Sequence, residues 1–474
     1  MGLPLIGSKL GINPGQQWPK RVFLPKLGID ACTHCWSMEG RLMLIRPRQP
    51  HYGYLITAIC FHIQAIGIGI YIGFGVFFNP LMAEFGWSRA AIAGASSLAF
   101  FIMGIFGVVI GRLNDRFGPR PLLTVTALFL GLGCVLMGRL TTLGELYLFF
   151  GLIFGIGLSS IDVIALTTVA RWFAHRRGLM TGIVKVGTGA GQLVVPLAAS
   201  WLILHFGWRW SFVVIGTSGA LVLILLAQYL RRDPTTLGPA RSHVRVASAI
   251  DPPGATSIGF SEALRTIQLW TICLLNLFLV FCLMIVMLHI VPHARDLGLA
   301  PMTAAGVLAT IGAVSMLGRF LAGLAIDRWG SRVIMAICFL LLMLGLSWLP
   351  LARRLWMLYL FAVIYGLSHG GFFTAISPLV AEWFGIGSHG ALFGLVVGFG
   401  TTGGAVGPLL AGWLFDIGGS YTTTFWIIAT MALISWGLLV SLRPVKGTNL
   451  TQKGGAPCAL SSNPFGSKPP SRSG

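Results

Sequence analysis

The feature that most constrains this chain is a recurring run of about 20 residues nearly free of charge, long enough to cross a bilayer as a helix. Twelve such runs are read at 54–78, 91–111, 121–138, 145–170, 178–204, 210–230, 268–292, 303–325, 333–350, 355–380, 390–415 and 421–442. In hydrocarbon no water is present to satisfy backbone N–H and C=O groups, so each run must close its own bonds. The runs are far longer than strands and their periods are helical or absent, which excludes a β-barrel. Of 474 residues 55% are hydrophobic and only 10% charged, against roughly 25% charged in soluble domains. The expected fold class is an all-α membrane protein with twelve transmembrane helices.

A formal net charge of +20 would suggest a nucleic-acid partner in a soluble protein. Its placement gives another meaning. Arg112, Arg116 and Arg120 follow span 2; Arg171, Arg176 and Arg177 follow span 4. Arg231, Arg232, Arg241, Arg245 and Arg265 follow span 6, and Arg328 and Arg332 follow span 8. The opposite connections hold fewer: Arg89, Arg139, Arg209, Arg295, Arg353 and Arg354. The positive-inside bias puts the even-numbered connections and both termini in the cytoplasm, in an inner or plasma membrane. The charge is then topology and lipid contact, with no nucleic acid expected.

Residues 1–53 mix Pro, Gly and Lys/Arg without periodicity and read as a disordered cytoplasmic tail, as do 443–474. No apolar signal-peptide core precedes span 1, which is expected to direct insertion itself. The eight cysteines form no pairable framework, and CTHC at 32–35 is a single CxxC without a second pair.

The chain also repeats itself. Asp115 pairs with Asp327, Gly118 with Gly330, Arg120 with Arg332, Gly182 with Gly394, Pro196 with Pro408 and Trp201 with Trp413, each 212 apart by subtraction. Trp172-Phe173 recurs one residue off as Trp383-Phe384. This implies two pseudo-symmetric six-helix bundles, 54–230 and 268–442, joined by a polar cytoplasmic linker over 231–267. Duplication of this kind is a transporter signature, because two similar bundles can rock about a site between them.

On these residues the chain resembles the major facilitator superfamily from about residue 54 onward. GRLNDRFGPR at 111–120 matches that family's G-x-x-x-D-R-x-G-x-R signature, and AGLAIDRWGSR echoes it in the second half. RWFAHRRGLMTGIVKVGTGAG at 171–191, GVFFNPLMAEFGWSR at 75–89, HIVPHARDLG at 289–298 and GPLLAGWLFD at 407–416 resemble the monocarboxylate porter and oxalate–formate antiporter branches. The resemblance implies that Asp115 and Asp327, with Arg116, Arg120, Arg328 and Arg332, gate the cytoplasmic side by clasping the halves together. An Asp near a helix N-terminus can engage its unpaired N–H groups and dipole. For the arginines alone, a polar turn that sets topology is the simpler reading. Helix 11 lacks the lysine that an oxalate-type carrier of this family would use.

Residues serving an asymmetric ligand should break the repeat. Arg319 aligns with Gly107, Lys185 with Val397 and, at an offset of 211, Asp162 with Phe373. All three are ionisable inside spans, where such residues are costly and face a cavity or a partner. Helical rise places each of them about 10–13 Å in from its cytoplasmic end, so they share one depth. Arg319 matches the helix 8 arginine with which monocarboxylate porters hold the substrate carboxylate, a task suited to a guanidinium fork. The alternative is snorkelling toward the cytoplasm. Lys185 is either a substrate contact or the partner of Asp162 in a scaffold ion pair. Asp162 is a candidate for the coupled proton.

Gln192 shares the Lys185 stripe of span 5, and Tyr365, Ser368 and His369 make a polar patch in span 10. With Asn276 and Gln64 they are weaker substrate-binding candidates, since hydroxyl and small residues also serve helix packing. His289, His293 and Asp296 share a face at the outer end of span 7; His293 is a proton-relay candidate, with capping as the plainer role.

No phosphate loop or HExxH is present, and the Gly-x-Gly runs lie inside spans. The expectation is a secondary active transporter and not an enzyme, without cofactor or metal, working by alternating access as a monomer. It moves a small carboxylate or other organic anion with a proton. The rivals are proton-driven efflux of amphipathic compounds and a non-transporting membrane sensor.

Overall fold

The computed structural model describes residues 51–174, 176–234 and 258–442. CTHC, most of the N-terminal tail and of the linker, and the whole tail over 443–474 lie outside the described residues. Among the described residues, eleven helical segments are long and apolar enough to cross a membrane. One of them, Arg177–Tyr229, has 53 residues and is broken at Gly207, whose φ of 75° and ψ of 163° leave the helix. Counting that segment as two gives twelve: α1 (Tyr52–Phe85), α2 (Arg89–Phe117), α3 (Pro119–Met137), α4 (Leu143–Trp172), α5 (177–206) and α6 (208–229). The second set is α7 (Ile267–Asp296), α8 (Pro301–Trp329), α9 (Ser331–Leu351), α10 (Leu355–Phe384), α11 (His389–Gly418) and α12 (Thr422–Ser441).

These helices form because they are apolar on nearly every side, and their outward faces stay so. Leu204 and Leu197 are 83% and 65% exposed, which only hydrocarbon accommodates. Helix ends carry local signals. Ser88 caps α2 by accepting from Ala91 N at 3.2 Å, and Thr142 with Glu145 forms a capping box at the start of α4. Glu84, in the last turn of α1, holds Arg209 at 2.5 Å and Trp208 Nε1 at 2.7 Å at the start of α6.

The expected loops after spans 2 and 8 shrink to one residue each. α2 runs to Phe117 and α3 begins at Pro119; α8 runs to Trp329 and α9 begins at Ser331. Gly118 (φ 82°) and Gly330 (φ 83°) alone reverse the chain, in a region that side chains with a Cβ avoid. Asp115, Arg116, Asp327 and Arg328 therefore sit on last helical turns and not on loops.

The fold is two six-helix bundles related by the 212-residue repeat. They meet along α2 with α11 and α5 with α8, and α4 and α5 also touch α10 or α11. Small residues make these seams. A Cβ on Gly182 would lie 2.6 Å from the Arg319 carbonyl, and one on Gly178 would lie 2.6 Å from that of Gly323. Backbone is thus in contact with backbone, as small residues permit between membrane helices.

Candidate functional site

Both seams are fastened at one end. The Asp115 carboxylate accepts from Gly390 N (3.1 Å) and Ala391 N (2.9 Å) at the start of α11. The Asp327 carboxylate accepts from Gly178 N (2.7 Å) and Leu179 N (3.0 Å) at the start of α5. Acceptors and donors both differ by 212, so one device is built twice, each reaching across to the other bundle. Each carboxylate satisfies amides that a helix start leaves unbonded and faces the positive dipole end.

The copies differ in surroundings. Asp115 also pairs with Arg171 at 2.6 Å, and their side chains are 15% and 5% exposed. Asp327 lies open to water. Arg171 was counted only as topology charge in the sequence. Its partner at an offset of 211 is Glu382, which instead accepts from Ser331 Oγ at 2.6 Å and caps α9. That reversal of sign across the repeat was the signal available. The chain entering α7 adds a strap: Ile258 N donates to the Phe384 carbonyl (3.1 Å), and Arg112 sits 4.4 Å over the Phe260 ring.

Arg120 and Arg332 bond within their own bundles. Arg120 Nε donates to the Leu230 carbonyl (2.6 Å), and its repeat mate Arg332 donates to that of Val440 (2.8 Å). Both satisfy carbonyls at the ends of the last helices of their own bundles, α6 and α12. Arg116 lies exposed over the Phe117 ring at 5.2 Å, and Arg328 is exposed.

Near mid-membrane the three residues that break the repeat come together. Lys185 Nζ is 2.5 Å from Asp162 Oδ1, with side-chain exposures of 5% and 14%. The same oxygen accepts from Gln64 Nε2 at 2.7 Å, and Gln64 Oε1 accepts from Thr188 at 2.9 Å. Lys185 also lies 5.6 Å over the ring of Phe373, the residue that stands where the repeat puts Asp162's mate. From the opposite bundle, the buried Arg319 donates through one terminal nitrogen to the Lys185 carbonyl at 2.9 Å. Its Nε is buried with no partner. The guanidinium thus enters the seam between the bundles, not the lipid. Beside it, Ser315 Oγ and His369 Nδ1 are 2.8 Å apart.

The remaining candidates are placed elsewhere. Tyr365 is fully buried and donates to the Leu283 carbonyl (2.8 Å); Asn276 donates to that of Val396 (2.7 Å). Both bonds tie helices within the second bundle. Gln192 is half-buried on α5, beyond the Lys185 level. His293 sits near the last turn of α7, at the end away from the clasps, edge-on to Phe425 with Nε2 unpartnered. Its neighbour His289 bonds the Tyr421 hydroxyl and the Pro408 carbonyl, both at 3.1 Å. Burial, with Asp296 and Asp416 nearby, pushes the Tyr421 phenol above its ordinary range.

A cavity of about 390 Å³ lies apart from this chemistry, between α2, α7 and α11, with Gly104, Val108, Leu277 and Phe399 among its walls. It holds no ionisable group. The polar constellation at Arg319 is the candidate site.

Twelve helices in a duplicated bundle, an Asp clasp on each seam and an asymmetric charge site between them define a membrane transporter. The chain belongs to the Major Facilitator Superfamily, whose family model matches residues 57–324 and 294–469. Among curated relatives it is 29% identical over 419 residues to human monocarboxylate transporter 11, covering 84% of this chain and 85% of that protein. It is 26% identical over 403 residues to monocarboxylate transporter 13 of Bos taurus, covering 84% and 90%. The solved structure of the proton:xylose symporter XylE superposes with a TM-score of 0.66 at 16% identity, covering 83% of this chain and 96% of that one. The human organic anion transporter MFSD10 superposes at 0.65 and 16%, covering 82% and 100%. The protein is a transporter related to monocarboxylate transporters, and neither its relatives nor its fold are those of an enzyme.

Proposed function

We propose that this protein carries a small monocarboxylate together with a proton, by alternating access. The observation that carries the reading is Arg319: a guanidinium buried between the bundles whose Nε has no partner. Buried donors are costly to leave unmade, and a carboxylate accepts two parallel bonds from such a fork. Charge counting narrows the cargo. Lys185 and Asp162 neutralise each other at 2.5 Å, which leaves one positive charge, that of Arg319, and so favours an anion of charge −1. Relatives named as monocarboxylate transporters agree with this reading.

Asp162 is the proposed proton site. Its Oδ1 is held by Lys185 and Gln64, yet the side chain stays 14% exposed. A proton there frees Lys185 from its pair, so protonation and cargo binding are felt by the same few atoms. His369 and Ser315 line the Arg319 side of the site, and Gln192 lies along its approach.

The two Asp clasps are the proposed gate, on the cytoplasmic side by the arginine bias, and their closure here is the outward-facing arrangement. Close helix approaches run from the clasps as far as Gly189 against Met316 and Gly404 against Phe100. A Cβ on Gly312, a turn beyond Met316, would meet open space within 4 Å.

Counterflow of labelled lactate, pyruvate and oxalate in proteoliposomes tests the assignment, alongside thermal stabilisation of purified protein by the same acids. Monocarboxylates should exchange and stabilise, and Arg319→Gln should sharply weaken both effects. Equal stabilisation of both forms, or preference for the dianion oxalate, overturns it.

A further inference from the structure

The start of α11 carries a histidine that the clasp leaves half satisfied. His389 immediately precedes the two amides that hold Asp115. Its side chain is 0% exposed. Nε2 lies 3.1 Å from the Ser377 carbonyl of α10, an acceptor only, so this nitrogen bears the hydrogen. Nδ1 is buried and has no partner. The ring stacks on Phe393 at 5.8 Å and 13°, which fixes its orientation.

The repeat sharpens the point. At the same position on α5 stands Arg177, 212 residues earlier, with Nε donating to the Ala170 and Phe173 carbonyls. One clasp therefore has a permanent cation at its helix start and the other a titratable ring. We propose that His389 is a proton-binding site that opens the Asp115 clasp: the ring is neutral while the clasp is closed and takes up a proton when it separates.

A second proton on this imidazole must go to Nδ1. In the closed clasp that position has no acceptor and no exposed face. It would also add positive charge at the positive end of the α11 dipole. The charged groups bearing on it are Arg171 from the end of α4 and Arg177 from the start of α5, both cationic. From α2 comes the Asp115 carboxylate, already engaged by Arg171 and by the two amides. From α10 it meets the Ser377 carbonyl. Two cations and a helix start outweigh one carboxylate that is otherwise committed. Once α11 swings away from Asp115, water reaches the ring and its ordinary affinity for protons returns, with half-saturation near pH 6.5.

The open form thus binds a proton that the closed form excludes, and acid favours opening. If the closed form takes no proton, the open-to-closed ratio scales with 1 + 10^(6.5 − pH). That is about 11 at pH 5.5 and about 1.1 at pH 7.5, a swing of about tenfold. Acid on the clasped side would then promote release of the gate, separately from any proton on Asp162.

The inference rests on the clasp being the gate and not on the identity of the cargo, so its test contains no substrate. Nitroxides are placed at Phe117→Cys and Trp329→Cys, the exposed ends of α2 and α8, in a background with the native cysteines replaced. Pulsed dipolar spectroscopy in nanodiscs then gives the open and closed fractions at pH 7.5 and 5.5. The expected result is about a tenfold rise in the open-to-closed ratio on acidification, and a nearly flat ratio in His389→Gln. His389→Asn, which also keeps an N–H for Ser377, serves if His389→Gln does not purify. A wild-type ratio that does not move with pH overturns the proposal. So does a swing that survives loss of the ring, which would assign it to Asp115 or Asp327.

Discussion

Asp162→Asn isolates the central ion pair. The structure buries Lys185 at 5% side-chain exposure with one carboxylate oxygen 2.5 Å away. Replacing that carboxylate leaves an ammonium facing only an amide and the Phe373 ring, and stranding one member of a buried pair costs about 3–5 kcal/mol. Replacing both members, Asp162→Asn with Lys185→Met, removes both charges and keeps similar volume. Such exchanges are near neutral or mildly stabilising. A double-mutant cycle by equilibrium unfolding in mixed micelles should therefore show at least about 2 kcal/mol of coupling, with the double variant more stable than Asp162→Asn.

Transport gives a second reading of the same proteins. The double variant keeps the net charge of the site, so acid binding and counterflow should persist. Accumulation driven by a proton gradient should be lost, because no carboxyl remains to carry the proton. An Asp162→Asn protein within about 1 kcal/mol of wild type would mean that Lys185 is not held charged against Asp162. Undiminished gradient-driven uptake in the double variant would remove Asp162 from the coupling.

Arg319→Gln should weaken monocarboxylate binding by about 10–150-fold, the loss of charge-assisted bonds worth about 1.5–3 kcal/mol, read by calorimetry. Asp115→Asn should slow flux far more than it weakens ligand binding, and Asp327→Asn should do so less because that carboxylate is open to water; initial rates set against binding affinity decide it. Gly182→Ala drives a methyl toward the Arg319 carbonyl, 2.6 Å from its ideal position. Overpacking of about 1–3 kcal/mol in the clasped arrangement alone would shift the equilibrium toward opening by about 5–150-fold, visible as longer distances across the clasped end. Tyr365→Phe removes the phenol's bond to the Leu283 carbonyl, which keeps its helical partner, and should lower stability by about 0.5–1.5 kcal/mol while leaving acid affinity unchanged, as thermal unfolding and binding will show.

Architecture was legible because a bilayer imposes a length, and runs of about 20 apolar residues report it directly. The repeat was legible because Asp115 and Asp327 carry the same neighbours. It also exposed Arg319, Lys185 and Asp162, whose mates are apolar or glycine. What stayed hidden depends on which face a residue presents, and in membrane helices hydrophobicity says little about that. Arg120 and Arg332 look like gate charges, yet they serve carbonyls of their own bundles. Tyr365 and Asn276 look like ligand contacts and instead bond helix backbones. Arg171 and His389 find their roles only when chain ends far apart in sequence meet. The break at Gly207 is a single residue, so a loop over 205–209 was the natural expectation where one rotated glycine suffices.

Each clasp matches a carboxylate to main-chain amides, and this has a consequence for how such a latch drifts over time. Exchanging Leu179 or Ala391 for another residue alters what hangs from the strike plate and leaves the plate itself intact, proline excepted. Insertions and deletions are another matter, because one residue gained between Phe384 and Gly390 would turn the α11 start away from its key. Selection on the docking ends of α5 and α11 should fall on spacing and on the glycines at 178 and 390, where a Cβ would meet the other bundle, more than on the identity of Leu179 or Ala391.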